Sequence, residues 1–213
     1  MKTITEIQRL QAPAKMPQSL AWDGDSLWMG SLATKKIYHI DPRSWSVTWQ
    51  CDAPGLPFGM VVVNNELRVL CGETDQDNRI VRRCIPNHGF DTVYALPCPD
   101  DTGSQLSWDG KNLHVSQWYN QRILALSEEG DVEKHYHAPR GICGQTIVDN
   151  DLYILNTADE ETDDYVLSRI DRQSGACQDL AKVPFPARSL AFDGEAFWTN
   201  HRAAGETVRF AAP

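Results

Sequence analysis

The sequence predicts an all-β fold, a five-bladed β-propeller, and two observations support this prediction. An apolar run that ends in Asp-Gly, Asn-Asn or Asp-Asn recurs five times along the 213 residues. The first turn residues of the five copies are Asp23, Asn64, Asp109, Asp149 and Asp193. They follow one another at steps of 41, 45, 40 and 44 residues. A four-stranded sheet repeated at this period is typical of propeller blades.

The first two strands of each blade are predicted from the repeated run itself. The three clearest copies read SLAWDG, QLSWDG and SLAFDG and begin at Ser19, Gln105 and Ser189. Two fainter copies, MVVVNN and QTIVDN, begin at Met60 and Gln145. An apolar or aromatic run follows each copy, and Asp-Gly or Asn between two such runs indicates a hairpin turn with positive φ.

The remaining strands follow in order within each repeat. Third strands are predicted at residues 35–41, 78–84, 121–127, 167–171 and 207–210, and fourth strands at 46–51, 91–97, 131–137 and 176–183. The fifth copy ends after its third strand, and the alternating segment from Thr3 to Leu10 is predicted to supply the missing fourth. This closure leaves no open sheet edge where the chain ends meet. The prediction is one domain over residues 1–213, since a β-sandwich lacks this regular period.

Composition limits the partners and the compartment. The formal net charge of −9 argues against nucleic acid and anionic membranes, because both require a basic surface. The N-terminus lacks an apolar signal-type segment and no later segment is apolar enough to span a bilayer, so a cytoplasmic protein is expected. The six cysteines are scattered without zinc-site spacing and are expected to be reduced thiols, mostly in the core. The oligomeric state is left undetermined.

The blade unit resembles those of known small propellers. The pattern xSLAWDGxxLW followed by xxKIYHIDPRS is similar to the repeats of the gluconolactonase/SMP-30-like and streptogramin-lyase-like propellers. The count of five blades and the small size are similar to plant-type glutaminyl cyclotransferases. The resemblance covers the whole chain but consists of blade-building residues, so it implies the fold far more than an activity.

The resemblance also implies a metal site that this sequence does not support. SMP-30-like lactonases hold a divalent metal in the channel, with an acidic residue near the start of a first strand. The matching positions here, none of which is acidic, are Gln18, Gly59, Ser104, Gly144 and Arg188. The catalytic His and Glu of streptogramin lyases find no clear match either. No metal ligands are predicted, and the cofactor is left undetermined.

Connectivity predicts which residues meet at one mouth of the channel. A hairpin joins strands one and two of each blade, so the start of strand one and the end of strand two lie opposite the Asp-Gly turns. The predicted substrate-binding residues at this mouth are Gln18, Phe58, Gln105, Gln117, Trp118, Gln145 and Asn156. Connectivity also places Asp75 and Arg202 at this mouth. Polar amides, arginines and aromatic rings together suit a small polar or anionic ligand.

Three residues at this mouth are predicted to be catalytic. His201 titrates near neutral pH and is the expected proton carrier, unless it is a surface-loop histidine. Arg188 would clamp a carboxylate in two hydrogen bonds, unless it pairs with an acid of a loop. Glu73 would be a general base or a metal ligand, unless its acidic loop is merely solvated. The acidic run at 157–164 is expected to be a mobile, solvated loop.

The mouth residues favour a small-molecule enzyme that acts at this end of the channel, and the resemblance to lactonase-like propellers implies a hydrolase or lyase. The alternative is a non-catalytic propeller that binds a ligand or a protein, as a lectin or a scaffold does. Lectin propellers with one sugar site per blade repeat their ligand residues, whereas the mouth residues here differ between blades. This asymmetry favours one unique site, and hence an enzyme or a protein that binds a single ligand.

Overall fold

The computed structural model describes residues 1–73 and 78–211, which form five antiparallel sheets around one axis. Each sheet takes its strands in chain order from the axis outward, except that N-terminal strands form the outer edges of the fourth and fifth blades. The innermost strand of each blade packs against the innermost strands of both neighbours, so the ring is closed. The predicted five-bladed β-propeller is therefore confirmed.

The strands are numbered along the chain. Two precede the first blade: β1 (Lys2–Thr3) and β2 (Thr5–Gln11). Blade one contains β3 (Pro17–Trp22), β4 (Leu27–Ser31), β5 (Lys36–Asp41) and β6 (Ser46–Asp52). Blade two contains β7 (Leu56–Val63), β8 (Glu66–Gly72), β9 (Arg79–Ile85) and β10 (Gly89–Pro97).

The other three blades repeat this arrangement. Blade three contains β11 (Leu106–Trp108), β12 (Leu113–Gln117), β13 (Arg122–Leu126) and β14 (Val132–His137). Blade four contains β15 (Gly141–Val148), β16 (Asp151–Thr157), β17 (Tyr165–Asp171) and β18 (Cys177–Val183). Blade five contains β19 (Ala187–Phe192), β20 (Ala196–His201) and β21 (Glu206–Ala211), and β2 completes it.

The N-terminal segment closes the ring in two steps. Strand β2 pairs antiparallel with β21, as the sequence predicted, with Leu10 opposite Thr207. Strand β1 instead pairs parallel with β18 of blade four, with Lys2 opposite Ala181. Between them Ile4 is buried in the apolar cluster that blades four and five share. The segment predicted as one strand therefore joins two blades.

The hydrophobic core is divided among the interfaces between blades. Each of the five buried clusters combines side chains of two adjacent blades, as Leu20 and Met29 of blade one do with Trp198 of blade five. Burial of one such side chain contributes about 1.5–3 kcal/mol. Because the clusters hold neighbouring blades together, a blade alone would leave both of its faces exposed to water.

The Asp of the Asp-Gly turn is more than a turn residue. Asp193 accepts hydrogen bonds from two backbone N–H groups of its own turn and, at 2.8 Å, from the indole Nε1 of Trp198. Asp23 and Trp28 repeat this arrangement at 2.7 Å in blade one. In blade three the partner is an imidazole, since His114 Nε2 lies 3.0 Å from Asp109.

Helical structure is minimal in the described residues. The one helical element is a 3-10 turn at Pro99–Asp101, which leads into blade three. Within residues 1–73 and 78–211, no helix has the length and apolar character needed to cross a membrane.

Candidate functional site

A cavity of about 430 Å³ opens at the channel end where the innermost strands begin. This is the end opposite the Asp-Gly turns, as connectivity predicted. We call it the mouth cavity. Its lining includes Gln18, Phe58, Arg79, Ser104, Gln105, Trp118, Tyr119, Ile142, Cys143, Asp159, Glu160, Glu161, Arg188 and Arg202. All five blades contribute side chains to it.

β-bulges bring several of these side chains to the mouth. The pairing of strand one with strand two shifts by one residue at Gln18 in blade one, at Phe58 in blade two and at Cys143 in blade four. A bulge leaves one residue outside the ladder and re-aims its side chain. In blade five the shift falls between Arg188 and Ala191, and Ser189 has a φ of +63°.

Arg188 lies in the wall of the mouth cavity and is buried, with 4% of its surface exposed. Its guanidinium donates to the phenol oxygen of Tyr165 and, at 3.0 Å, to the carboxylate of Glu160. Burial alone lowers the pKa of Arg188, but the nearby Cys143, Tyr165 and Glu160 raise it above its ordinary value. Arg188 therefore remains charged, and a loop acid balances part of that charge.

A second guanidinium faces the same cavity. Arg202 donates to the side-chain oxygen of Gln18 at 2.9 Å, and within residues 1–73 and 78–211 it makes no ion pair with a carboxylate. Burial lowers the pKa of Arg202, and the positive charge of Arg188 lowers it further. The two arginines are thus close enough to repel each other, and an anion placed between them would relieve that repulsion.

Aromatic rings form the other walls. The guanidinium of Arg79 lies 3.7 Å from the ring centre of Phe58, a cation–π distance. Trp118 packs over Gly141, where a Cβ atom would stand 2.3 Å from the indole. Trp118 and Tyr119 meet edge to face at 5.2 Å. The flat surface of Trp118 therefore depends on a glycine in the next blade.

The groups that could transfer protons differ in their ionisation. Burial raises the pKa of the Cys143 thiol to about 11 and that of the Tyr165 phenol to about 12. Both are therefore protonated at neutral pH. Three carboxylates of the described residues line the cavity, those of Asp159, Glu160 and Glu161. The one of Glu160, whose side chain is 42% exposed, is paired with Arg188.

The predicted amides Gln18 and Gln105 line the cavity and also tie blades together. The amide nitrogens of Gln105 and Gln18 lie 3.0 Å and 3.4 Å from the carbonyl oxygen of Phe58. The amide nitrogen of Gln145 donates to His114 O at 2.7 Å and lies 3.3 Å from Gln105 O. Gln145 lines a smaller cavity of about 180 Å³ at the opposite end of the channel.

Two further predicted binding residues lie within the blades. Gln117 is buried, and its amide nitrogen donates to Pro99 O at 2.7 Å, so it holds the loop before blade three. Asn156 is also buried, and its amide nitrogen donates to Ser168 Oγ at 2.8 Å on the next strand. Neither belongs to the lining of the mouth cavity.

The predicted catalytic residues His201 and Glu73 also lie outside that lining. The His201 ring stacks on Phe185 at 5.1 Å and lies 3.7 Å from the Glu206 carboxylate. Burial, followed by the charge of Arg9, lowers the pKa of His201. Glu73 accepts a hydrogen bond of 2.6 Å from Arg82. Of the three predicted catalytic residues, only Arg188 lines the cavity.

The residue types at the mouth do not fit an SMP-30-like metal site. The innermost strands present Gln18, Phe58, Gln105 and Arg188 to the cavity, so no carboxylate comes from a strand start. The two arginines would repel a cation. The described residues contain no group of three or more His, Cys, Asp or Glu side chains placed to hold a metal ion. No chemistry is assigned to a metal here.

The sequence analysis placed Arg202 at the mouth without giving it a role, and it did not select Glu160, Tyr165 or Arg79 as site residues. Glu160 belongs to the 157–164 run, which was expected to be a mobile, solvated loop, whereas it pairs with Arg188 at the mouth. Its position was the available signal, because the loop after strand two of a blade lies at this end. Asp75, also expected at the mouth, lies outside the described residues.

Comparison with known proteins supports the fold and shows no family. No family model and no curated protein matches the sequence. A glutaminyl cyclase from Myxococcus xanthus has a similar structure, with a TM-score of 0.72 at 10% identity over 98% of this chain and 97% of that one.

Two further solved structures have a similar fold at lower TM-scores. A Bacteroides thetaiotaomicron protein of unknown function gives a TM-score of 0.62 at 11% identity, over 98% of this chain and 73% of that one. The PQQ-bound aldose sugar dehydrogenase of Streptomyces coelicolor gives 0.60 at 11% identity, over 98% of both chains. At such identities the likeness shows the fold alone, and it confirms the predicted resemblance to small propellers.

Proposed function

We propose that the protein is an enzyme that acts on a small anionic molecule in the mouth cavity. One observation carries this proposal: Arg188 and Arg202 face the same cavity and repel each other, and of the two only Arg188 pairs with a carboxylate of the described residues. A carboxylate-bearing substrate would accept hydrogen bonds from a guanidinium and reduce that repulsion. Phe58 and Trp118 would pack against its apolar part.

A hydrolase or lyase of this kind needs a group that moves a proton. Glu160 would take that role in place of His201, since its carboxylate lies at the cavity and His201 does not. The guanidinium of Arg202 would stabilise negative charge that develops on a carbonyl oxygen. The structural neighbours named as a cyclase and a dehydrogenase support an enzyme in general.

A non-catalytic binding propeller is the second candidate, and the state of Glu160 favours it. Its carboxylate already accepts a hydrogen bond from Arg188 at 3.0 Å, so it is engaged in holding that guanidinium. In that case the cavity would hold an anion without changing it. The two candidates share the binding site and differ only in turnover.

Calorimetry tests the binding step with a panel of small mono- and dicarboxylates. The neutral amides of the same acids are the matched control ligands. Carboxylates should bind and amides should not. Arg202→Met should weaken binding about 10- to 100-fold, the range for loss of a charge-assisted hydrogen bond. Arg43→Met is the matched control, because the Arg43 side chain is 80% exposed. Equal affinity of Arg202→Met and the native protein would refute the proposed site.

Turnover is tested separately on esters, lactones and amides that carry a carboxylate, with products followed by mass spectrometry. Glu160→Gln should abolish turnover while the substrate still binds. Binding without turnover across the whole panel would support the non-catalytic candidate instead.

A further inference from the structure

Two cysteines of adjacent blades are in contact away from the mouth cavity. The sulfur atoms of Cys51 in β6 of blade one and Cys84 in β9 of blade two lie 3.7 Å apart. A disulfide requires about 2.05 Å, so an approach of less than 2 Å would join them. All six cysteines are free thiols in the structure.

Packing of the two blades fixes this contact. Cys84 is fully buried in the cluster that blades one and two share, and Cys51 packs against that cluster from its partly exposed edge. Each cysteine is also held in a strand ladder, with Cys51 opposite Ile37 and Cys84 opposite Leu67. The two sulfurs are therefore neighbours because of the fold.

The two thiols are not equivalent. Contact with Cys84 lowers the pKa of Cys51, and the positive charge of Lys36 on the neighbouring strand lowers it further. Burial and the negative charge of Asp52 act in the opposite direction, but the net shift is downward. The contact with Cys51, together with burial, raises the pKa of Cys84. Cys51 is thus the sulfur that ionises first and the one that solvent reaches, whereas Cys84 stays protonated behind it.

We propose that Cys51 and Cys84 form a peroxide-sensitive thiol pair whose oxidation creates a disulfide between blades one and two. The Cys51 thiolate attacks hydrogen peroxide, the O–O bond breaks, and a sulfenic acid and hydroxide form. The Cys84 sulfur then attacks the Cys51 sulfur, the S–S bond forms, and the S–O bond breaks. The Cys84 proton goes to the leaving oxygen, and the hydroxide takes up the proton that Cys51 lost when it ionised. Two thiols are therefore oxidised and one peroxide is reduced to two waters.

The other cysteines lack one or more of these features. Burial raises the pKa of Cys71 and Cys98 to about 12 and that of Cys143 to about 11, and all three are buried. Cys177 is exposed, but burial of its sulfur and the charge of Asp179 raise its pKa. Cys177 therefore serves as the matched control for exposure without a partner thiol.

The full chain is first reduced, and the reductant is then removed. The protein is treated with less than one equivalent of hydrogen peroxide. Free thiols are then alkylated, and peptides are mapped by mass spectrometry without reduction. We expect a cross-linked peptide that contains Cys51 and Cys84, formed before Cys177 is oxidised, and restored to thiols by dithiothreitol. Cys177→Ser should leave the cross-link unchanged.

Two variants distinguish the thiol that attacks peroxide from the thiol that then forms the disulfide. Cys84→Ser should stop the reaction at a Cys51 sulfenic acid that dimedone traps, whereas Cys51→Ser should leave Cys84 unmodified. Because the disulfide would close a loop over a separation of 33 residues, Tm of the oxidised native protein should rise by about 5 °C or more. A native protein that is oxidised at Cys177 or at Cys51 without any Cys51–Cys84 cross-link would overturn the proposal.

Discussion

Arg202 of the last blade donates a hydrogen bond to the side-chain oxygen of Gln18 in the first blade, at 2.9 Å. The two residues are 184 positions apart and meet where the ring closes. Gln18 is a bulge residue, and its amide nitrogen lies 3.4 Å from the carbonyl oxygen of Phe58 in blade two. One glutamine thus places a site arginine and connects three blades.

Gln18→Met should impair both stability and binding. The change keeps the volume but removes the acceptor of a partly buried guanidinium, which costs about 1–3 kcal/mol of unfolding free energy. Affinity for a small carboxylate should fall about 3- to 10-fold, because Arg202 is no longer held in place. Urea unfolding and calorimetry measure the two effects. Unchanged values in both would show that the hydrogen bond does not position Arg202.

Acidification should destabilise the protein in two stages. The pKa of His114 is lowered, chiefly because burial disfavours the imidazolium, so below about pH 6.5 the unfolded chain binds a proton that the folded chain does not. The contribution of neutral His114 to the free energy of unfolding is therefore complete above about pH 6.5. It falls as the pH drops toward the pKa of His114 in the folded protein, by at most about 1.4 kcal/mol per pH unit.

The second stage belongs to Asp109. Burial alone would raise its pKa, but hydrogen bonds from the Asn112 backbone and from His114 lower it from 3.8 to about 2. Its contribution is therefore present above about pH 4 and lost toward pH 2. His114→Gln should flatten the slope below pH 6.5 in urea unfolding and leave stability at pH 8 less affected. An unchanged slope in this variant would exclude His114 as the group responsible.

Asp193→Ala should destabilise the protein strongly. The side chain is 8% exposed and accepts hydrogen bonds from Trp198 Nε1 at 2.8 Å and Arg209 Nε at 2.7 Å. Removing it leaves both donors unpaired, at a cost of about 2–4 kcal/mol. The matched control is Asp25→Ala in the turn of blade one, which should change stability by less than about 0.5 kcal/mol. Equal effects of the two changes would contradict the anchoring role.

Ser189 offers a test of backbone conformation. Its φ is +63°, and its hydroxyl accepts a hydrogen bond from the Leu20 backbone N–H at 2.8 Å in blade one. Ala and Gly both remove the hydroxyl, but only Gly adopts positive φ without strain. Ser189→Gly should therefore be more stable than Ser189→Ala by about 1 kcal/mol, the reverse of the usual order in strands. Thermal unfolding would show this, and a more stable alanine variant would argue against strain at Ser189.

The predicted strands and the closed ring agree with the structure because they depend on local patterns. Alternating apolar residues and Asp-Gly turns specify hairpins within a few residues, and five regular copies leave no other arrangement that buries every blade face. The division of the N-terminal segment at Ile4 was not predicted. Both of its pieces read as extended strand, and only the position of blade four decides which sheet each one joins.

The site residues were predicted only in part, because tertiary contacts decide which side chains at the mouth face the cavity. Gln117 and Asn156 stand at the end of strand two, which lies at the mouth as the topology predicts. Both side chains are nevertheless held in hydrogen bonds away from the cavity. His201 stands at the equivalent place and faces Phe185. On the first strands a bulge at Gln18, Phe58 and Cys143 re-aims the side chain, and the sequence carries no signal for it.

By itself the sequence determined the blade count, the order of the strands and the end of the channel where the variable residues collect. Only the tertiary structure decided that Arg188 meets Glu160, that Arg202 meets Gln18 and that two thiols of different blades touch. Hairpins follow from neighbours in the chain, whereas these contacts join residues 28, 184 and 33 positions apart. Their distances are set by how the blades pack around the axis, which no local pattern encodes.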